Sequence, residues 1–463
     1  MYNLHYFDDL GGAGSAARRD WHLALLQRWV DENPPPEGNG WEPYPTSLRI
    51  VNWIKWGLAG NQLPLPCLDS LALQAQWLSE RLEWHLLGNH LFANAKALIF
   101  AGAFFHGEQA DAWLKRGLHI LRRELPEQIL ADGGHFERSP MYHSILLEDM
   151  LDLINLAQAW PGKISARMSG HWRGTAQRML AWLHTMSHPD GGIAFFNDAA
   201  FGIAPTIAVL DAYATRLDLL SPVSCSALPD TRLQRLTESG YIRVEVPDAV
   251  ALLDVAPVGP DYLLGHAHAD TLSFELSLFG QRVLVNSGTS CYGLGMERLR
   301  QRGTAAHNTV EIDGQDSSEV WGGFRVARRA YPFIDVCQVL GEEVKVAAGH
   351  DGYMRMPGKN MHWRMWVFKN GAMHISDFIS GSYRHSMSRF HVHPDVKFEW
   401  RGQELMAMLG EGLWVSLHFE HACTVRIVES TWHPEFGKTI KNQCIVAEFS
   451  GEKMDVSINW GGI

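Results

Sequence analysis

The chain has 463 residues, 46% of them hydrophobic and 20% charged, with a formal net charge of −11. That length exceeds one ordinary hydrophobic core and predicts two domains. The acidic balance argues against a nucleic-acid partner, because a phosphate backbone calls for a basic footprint, but it leaves room for an anionic substrate in a locally basic cleft.

The opening "MYNLHYFDDL" has neither the basic nor the apolar region of a secretory signal. The longest apolar run, "ALIFAGAFF" at 97–105, is too short to span a bilayer, so no membrane partner is expected. The chain reads as soluble; it is periplasmic or secreted if a leader has been removed, and otherwise cytoplasmic. Six cysteines (Cys67, Cys225, Cys291, Cys337, Cys423, Cys444) lack CxxC spacing and read as separate buried thiols.

Along the first half, apolar residues recur at three- and four-residue spacing over 20–31, 46–58, 70–83, 90–105, 109–124, 141–159, 172–187 and 204–218. Gly/Pro-rich breaks such as "NPPPEGNG" at 33–40 and "HPDGG" at 188–192 separate them. About eight helices in serial hairpins suit a toroid or incomplete helical barrel. From about residue 240 the texture changes to apolar–polar alternation rich in Val, Ile, Phe and Thr, as in "YIRVEV" and "WRMWVFKNGAMHISDFISG". Tight hairpins are expected at Gly280–Gln281 and at Asn370–Gly371. The fold class expected is α+β in two domains: a helical domain over 1–230 and an antiparallel β-sandwich over 231–463, parted by the polar stretch around 221–239.

Four stretches carry polar groups suited to chemistry. "GNHLFANAKAL" at 88–98 puts Asn89 and His90 where a helix begins; Asn89 is either its N-cap or part of an anion site favoured by the helix dipole. "GGHFERSPMYH" at 133–143 sets His135, Glu137 and Arg138 before a helix opened by Pro140 and bearing Tyr142 and His143. Tyr142 is a core residue or lines a wet cleft, while the later Glu148 and Asp149 read as a solvated helix face. In "GHAHAD" at 265–270, an extended backbone would turn His266 and His268 to one side, and two imidazoles on one face are costly to bury without partners. "RQRGTAAHNTVEIDG" at 300–314 starts a strand at His307 and Asn308 after a basic loop containing Arg298, Arg300 and Arg302. No phosphate loop, GxSxG elbow or HExxH pattern occurs.

Taken together, and with "YNLHYFDDL" at 2–10, "WEPYPTSLRIVNWIKW" at 41–56 and "FNDAAFG" at 196–202, these stretches resemble the heparinase II/III-like polysaccharide lyases. The resemblance covers nearly the whole chain and keeps the family's order. It implies an N-terminal (α/α) toroid followed by an antiparallel β-sandwich. It also implies a catalytic set falling on Asn89 with His90 beside it, on Tyr142 and on His266. Substrate contacts would fall on His135, Glu137, Arg138, Arg300 and His307. In some relatives a metal is held by residues that here are His268, Asn286 and His307; Asn286 stands where an aspartate is expected, and a neutral amide is a poor zinc ligand. No cofactor is required, and one structural divalent ion, zinc or calcium, is admitted.

The implied chemistry suits those residue types. Removing the C5 proton of a uronate and expelling the oxygen at C4 requires that the adjacent carboxylate be neutralised, that a base reach C5, and that an acid reach the leaving oxygen. Asn89 and His90 suit the first task; Tyr142 suits the acid, and the base too for some uronate stereochemistries; His266 is the other base. The expected partner is an acidic polysaccharide: a glycosaminoglycan such as heparan sulfate, hyaluronan or chondroitin, with alginate or a bacterial exopolysaccharide as the alternative. Two other classes stand beside it: a hydrolase using Glu137 with Asp198 as a carboxylic acid pair, and a carbohydrate-binding protein without turnover.

Overall fold

Helices fill the first half in the order their apolar spacing predicts. A computed structural model, which describes residues 2–220 and 231–462, gives α1 (Arg19–Glu32), α2 (Pro43–Leu58), α3 (Leu65–Glu80), α4 (Gly88–Phe104), α5 (Glu108–Gln128), α6 (Pro140–Ala159), α7 (Ala166–Thr185) and α8 (Ile207–Arg216). Strands follow from residue 232 onward. Two compact units result: Met1–Ile129 with Asp149–Gly174, and Leu130–Glu148 with Thr175–Ile463. The first turns of α6 and all of α8 are therefore grouped with the strands. Of the boundary stretch expected around 221–239, residues 221–230 lie outside the described ones, as does Cys225.

In the first unit α4 is apolar nearly all round and buried on almost every side, which makes it a central helix. Its contact with α5 is set by two glycines. A Cβ at Gly102 would lie 2.5 Å from the Leu114 amide nitrogen, and one at Gly117 would lie 2.7 Å from the Ala95 carbonyl oxygen. The acidic residue expected on a solvated face is instead inside: Lys96 Nζ bridges Asp149 and Asp152 at 2.6 Å each, and Lys55 joins Asp152 at 3.0 Å. A buried ammonium needs such partners, which is why Asp149 turns inward.

In the second unit a five-stranded antiparallel sheet runs in sequence order: β1 (Arg232–Leu236), β2 (Tyr241–Val246), β3 (Ala249–Asp254), β4 (Phe274–Leu278) and β5 (Gln281–Leu284). Beyond α9 (Met296–Arg302) come β6 (Val310–Ile312) and a small ribbon, β7 (Val320–Trp321) and β8 (Arg325–Val326). The remaining strands are β9 (Pro332–Leu340), β10 (Glu343–His350), β11 (Met361–Lys369), β12 (Ala372–Ser380), β13 (Ser386–His391) and β14 (Glu399–Arg401). They continue with β15 (Glu404–Gly410), β16 (Leu413–Glu420), β17 (Thr424–Trp432), β18 (Ile440–Phe449) and β19 (Lys453–Gly462). An eight-stranded sheet has the order β14-β15-β16-β19-β12-β11-β10-β9, and a four-stranded one the order β17-β18-β13-β6. Alternating side chains from these sheets, among them Val244, Leu276, Trp366, Ile375, Ile445 and Val456, share one apolar core.

Three local expectations are corrected. The first hairpin turns at Phe279–Gly280, where both residues have positive φ (52° and 81°), one residue earlier than the sequence suggests. The basic stretch at 298–302 is not a loop but the helix α9. The five described cysteines are unpaired, yet Cys423 is exposed, so they are not uniformly buried.

Strand register builds a buried polar chain through the eight-stranded sheet. His350 pairs with His362 across β10 and β11, and Arg364 with Asp377 across β11 and β12. His362 and Arg364, two apart on β11, share a face. Arg364 holds Asp377 with two hydrogen bonds (2.7 and 2.8 Å), His362 Nε2 donates to Asp377 (2.8 Å), and His350 Nε2 donates to His362 Nδ1 (3.2 Å). His350 Nδ1 accepts the Gly352 amide (3.1 Å). Every nitrogen is used with both imidazoles neutral, and burial, reinforced by the other imidazole, holds His350 well below its ordinary value of 6.5.

Below that value the unfolded chain takes up a proton that the native one refuses, so stability falls as the medium becomes acid. Between pH 7 and 5 the loss attributable to His350 is about 2 kcal/mol. Urea unfolding at the two pH values checks this: the drop is expected to shrink by that amount in His350→Gln.

Candidate active site

The site is built at the start of α6. Gly133 and Gly134 turn the chain toward His135, and Ser139 caps the helix by accepting the Tyr142 amide on Oγ (3.2 Å), with Pro140 in the first helical position. Arg138, just before the cap, has a left-handed backbone (φ 59°). Its carbonyl is fixed by the Tyr241 hydroxyl (2.7 Å) and by Asn197 Nδ2 (3.1 Å). This locked entry presents Tyr142 on the first turn of the helix.

The opposing wall is the 265–270 loop. It is a series of turns and not extended, yet His266 and His268 do converge, because both bind one carboxylate. His266 Nδ1 donates to Asp198 Oδ2 and His268 Nε2 to Asp198 Oδ1, each at 2.8 Å. Arg298 from α9 binds both oxygens of the same carboxylate, one at 2.7 Å and the other more closely. Asn197, beside Asp198 and also left-handed (φ 56°), accepts the His268 amide on Oδ1 (3.1 Å). The Asp198 amide in turn donates to the His266 carbonyl (3.0 Å).

Tyr142 and His266 meet ring to ring, with centroids 4.0 Å apart and planes tilted by 33°. The Tyr142 hydroxyl lies 2.9 Å from that of Tyr292, a residue that sequence reasoning missed and that is 39% exposed. Glu137 Oε2 stands 3.7 Å from His266 Nε2. The Asp198 carboxylate can only accept, so Nδ1 of His266 carries the hydrogen, and in the neutral imidazole the lone pair is on Nε2.

Electrostatics divides the roles. Burial pulls the His266 imidazolium down, but Glu137 and Asp198 outweigh it and leave its pKa raised above 6.5. Burial would raise the Asp198 carboxyl, yet Arg298 and the two imidazole donors hold it well below the carboxylate range. Burial, then Tyr292 and Asp198, push the Tyr142 phenol well above 10, so it stays protonated. A neutral acid and a tuned base thus sit side by side, as acid–base catalysis requires.

The other expected residues fall differently. Asn89 and His90 belong to the first unit. Leu87, not Asn89, precedes α4 as its cap; Asn89 bonds the Tyr44 hydroxyl, and His90 Nδ1 bonds Glu83 (3.1 Å) while facing the Tyr44 ring (4.5 Å). His135 is fully buried, and the Arg138 guanidinium bonds the Ser239 and Phe136 carbonyls, so their contacts point inward in place of the open ones expected. Arg300 is held outside by Glu297, Thr431 and His433; on the same helix it is Arg298 that reaches the site.

One group of side chains has the donor types for a divalent ion, though it is not quite the expected set. His268 Nδ1 and His307 Nε2 are 3.3 Å apart, and the Asp270 carboxylate joins them in a group whose ligand atoms all lie within 4.8 Å of one another. Asn286 instead accepts the Asn308 amide on Oδ1 (3.3 Å), while its Nδ2 is buried without a partner among the described residues. In this group Asp270 would supply the carboxylate that Asn286 lacks, and Asp198 fixes His268 from behind, as a carboxylate does for an imidazole that ligates a metal. His307 is buried within this group and not open to substrate.

The Asp198 hub carries stability as well as geometry. Asp198→Asn would leave a buried guanidinium without its counter-charge, a loss of about 3–5 kcal/mol. Chemical denaturation is expected to show that loss, and an unchanged midpoint would contradict it.

Comparison with known proteins follows the same lines. Residues 17–217 match the heparinase II/III N-terminus family and residues 228–461 the heparinase II/III-like C-terminal family. A heparin-sulfate lyase of Bacteroides stercoris is 28% identical over 60% of the chain; the chain spans only 44% of that protein's length. FtsZ-localized protein C of Caulobacter vibrioides is 24% identical over 96% of the chain and 82% of its own length. A crystal structure of heparinase III superposes with a TM-score of 0.78 at 18% identity, covering 97% of the chain and 74% of its own. The fold class is the one expected, α+β with a helical toroid followed by an antiparallel β-sandwich.

Proposed function

The chain belongs to the heparinase II/III-like family, and from that premise we propose that it is a polysaccharide lyase cleaving a uronic-acid-containing polysaccharide by β-elimination. The observation that carries the proposal is the stacked Tyr142–His266 pair, with one imidazole nitrogen fixed on Asp198 and the other free to accept. His266 Nε2 takes the C5 proton. As it does so, Glu137 offsets the imidazolium charge. The C4–O bond breaks, its electrons leave with the oxygen, and Tyr142 Oη gives that oxygen a proton. Tyr292, bonded to the Tyr142 hydroxyl, steers that proton. The charge of the substrate carboxylate must be quenched as the enolate-like intermediate forms.

A glycosaminoglycan is the favoured substrate, because the curated relative that matches with 28% identity is a heparin-sulfate lyase. One structural divalent ion, zinc or calcium, would be held by His268, His307 and Asp270; no step of the elimination is assigned to it. The hydrolase alternative is disfavoured by geometry. Asp198 is fully buried and committed to Arg298 and two histidines, and it stands with Glu137 on either side of an imidazole, so these two carboxylates do not flank a glycosidic bond. A second reading, association with FtsZ beside or without turnover, is favoured by the nearly full-length likeness to FtsZ-localized protein C.

Incubation with a panel of uronate polymers is expected to yield product absorbing in the ultraviolet, from the C4=C5 double bond conjugated to the carboxylate. Tyr142→Phe should lower that rate by about 10²–10⁴-fold while polymer binding survives. Cleavage of neutral glucans without such absorbance, or an undiminished rate in the Tyr142→Phe variant, would sink the proposal.

A further inference from the structure

The first unit carries a concave basic groove that the site above does not use. A cavity of about 560 Å³ is lined by Leu118, Arg122, Leu125, Arg167, Met168 and Trp172, among others. It shares Leu118 and Arg122 with a second cavity of about 630 Å³ that reaches Lys115 and His119. On α5, Lys115, His119 and Arg122 stand four and three residues apart and so occupy one face; on the first turns of α7, Arg167 and His171 do the same. All five are exposed.

Elsewhere the chain matches many exposed cations with acids, as in Arg328–Glu319 and Lys441–Glu429. Here, among the described residues, Lys115, Arg122 and Arg167 make no hydrogen bond or ion pair, and the one acid lining the groove, Asp111, is taken by Lys163 at 3.1 Å. A protein of net charge −11 thus gathers unneutralised cations over an apolar floor of Leu118, Leu125 and Met168.

We infer that this groove is a second, non-catalytic binding site for an acidic polysaccharide, an inference that rests on the lyase reading for the identity of the polymer. Such a chain alternates carboxylate or sulfate groups with C–H faces, which matches a cationic rim over an apolar floor. A nucleic acid is opposed by the overall negative charge, and a membrane surface by the concavity.

The test compares binding, so it does not depend on turnover. Tyr142→Phe protein is titrated with heparan sulfate, chondroitin sulfate and hyaluronan at several salt concentrations, with and without Arg122→Ala/Arg167→Ala. The double change is expected to weaken binding to at least one polymer about tenfold and to flatten its salt dependence, since fewer counter-ions are released. Arg122→Lys/Arg167→Lys should retain most of the affinity, and Lys397→Ala/Lys441→Ala on the sheet half should retain all of it. If the alanine pair melts early, Arg167→Gln alone supplies the comparison at an exposed helix start. Unchanged polymer binding overturns the inference, and so does an equal loss toward duplex DNA or anionic lipid vesicles, which marks a general anion patch. Should no uronate polymer be cut at all, the lyase reading fails while this binding comparison still returns its own answer.

Discussion

A single carboxylate with no solvent contact organises the candidate site. Asp198 takes two hydrogen bonds from Arg298, one from His266 and one from His268. An isolated buried carboxylate is prohibitively costly, and so is an isolated buried guanidinium; each makes the other tolerable only when the remaining lone pairs are also filled. The two histidines fill them. Three separate stretches, the 196–202 loop, the 265–270 loop and α9, are thereby pinned to one point. The orientation of His266 follows from that demand for satisfaction and precedes any contact with substrate.

The same solution recurs deeper in the sheet half. Arg364, Asp377, His362 and His350 repeat the sequence of groups found in Arg298, Asp198, His268 and His307: guanidinium to carboxylate, carboxylate to Nε2, Nδ1 to the Nε2 of a second imidazole. One chain is held by strand register alone, the other by loops and a short helix. In the register-built chain His350 Nδ1 is satisfied by a backbone amide, and the chain is closed. In the loop-built chain the Asp270 carboxylate stands beside the two imidazoles, so that among the described residues this chain, unlike the other, gathers the donor types that hold a cation.

Much of this was legible in the residues, and the gaps have physical causes. The eight helices of the first half follow from 3.6-residue apolar spacing, a signal summed over many positions. Tyr142 and His266 were legible through the stretches around them. Helix α9 was not, because three arginines in Met296–Arg302 read as a solvated turn; only the structure tells that Arg298 and Arg302 point inward and Arg300 outward. The His-Ala-His-Ala alternation imitates a strand, while the convergence of its histidines comes from Asp198, some seventy residues earlier. Asp149 looked solvated because its partner Lys96 lies on another helix. Tyr292 carried no signal, since "SGTSCYGLG" has neither periodicity nor charge.

The flat approach of the Tyr142 ring to His266 leaves a magnetic signature. An imidazole over an aromatic face lies in its shielding cone, so the carbon-bound protons of His266 resonate upfield of those of a free histidine. A ligand that parted the two rings would move those resonances downfield. The stacked pair would thereby report its own occupancy, in a quiet region of the spectrum, without any bond being broken.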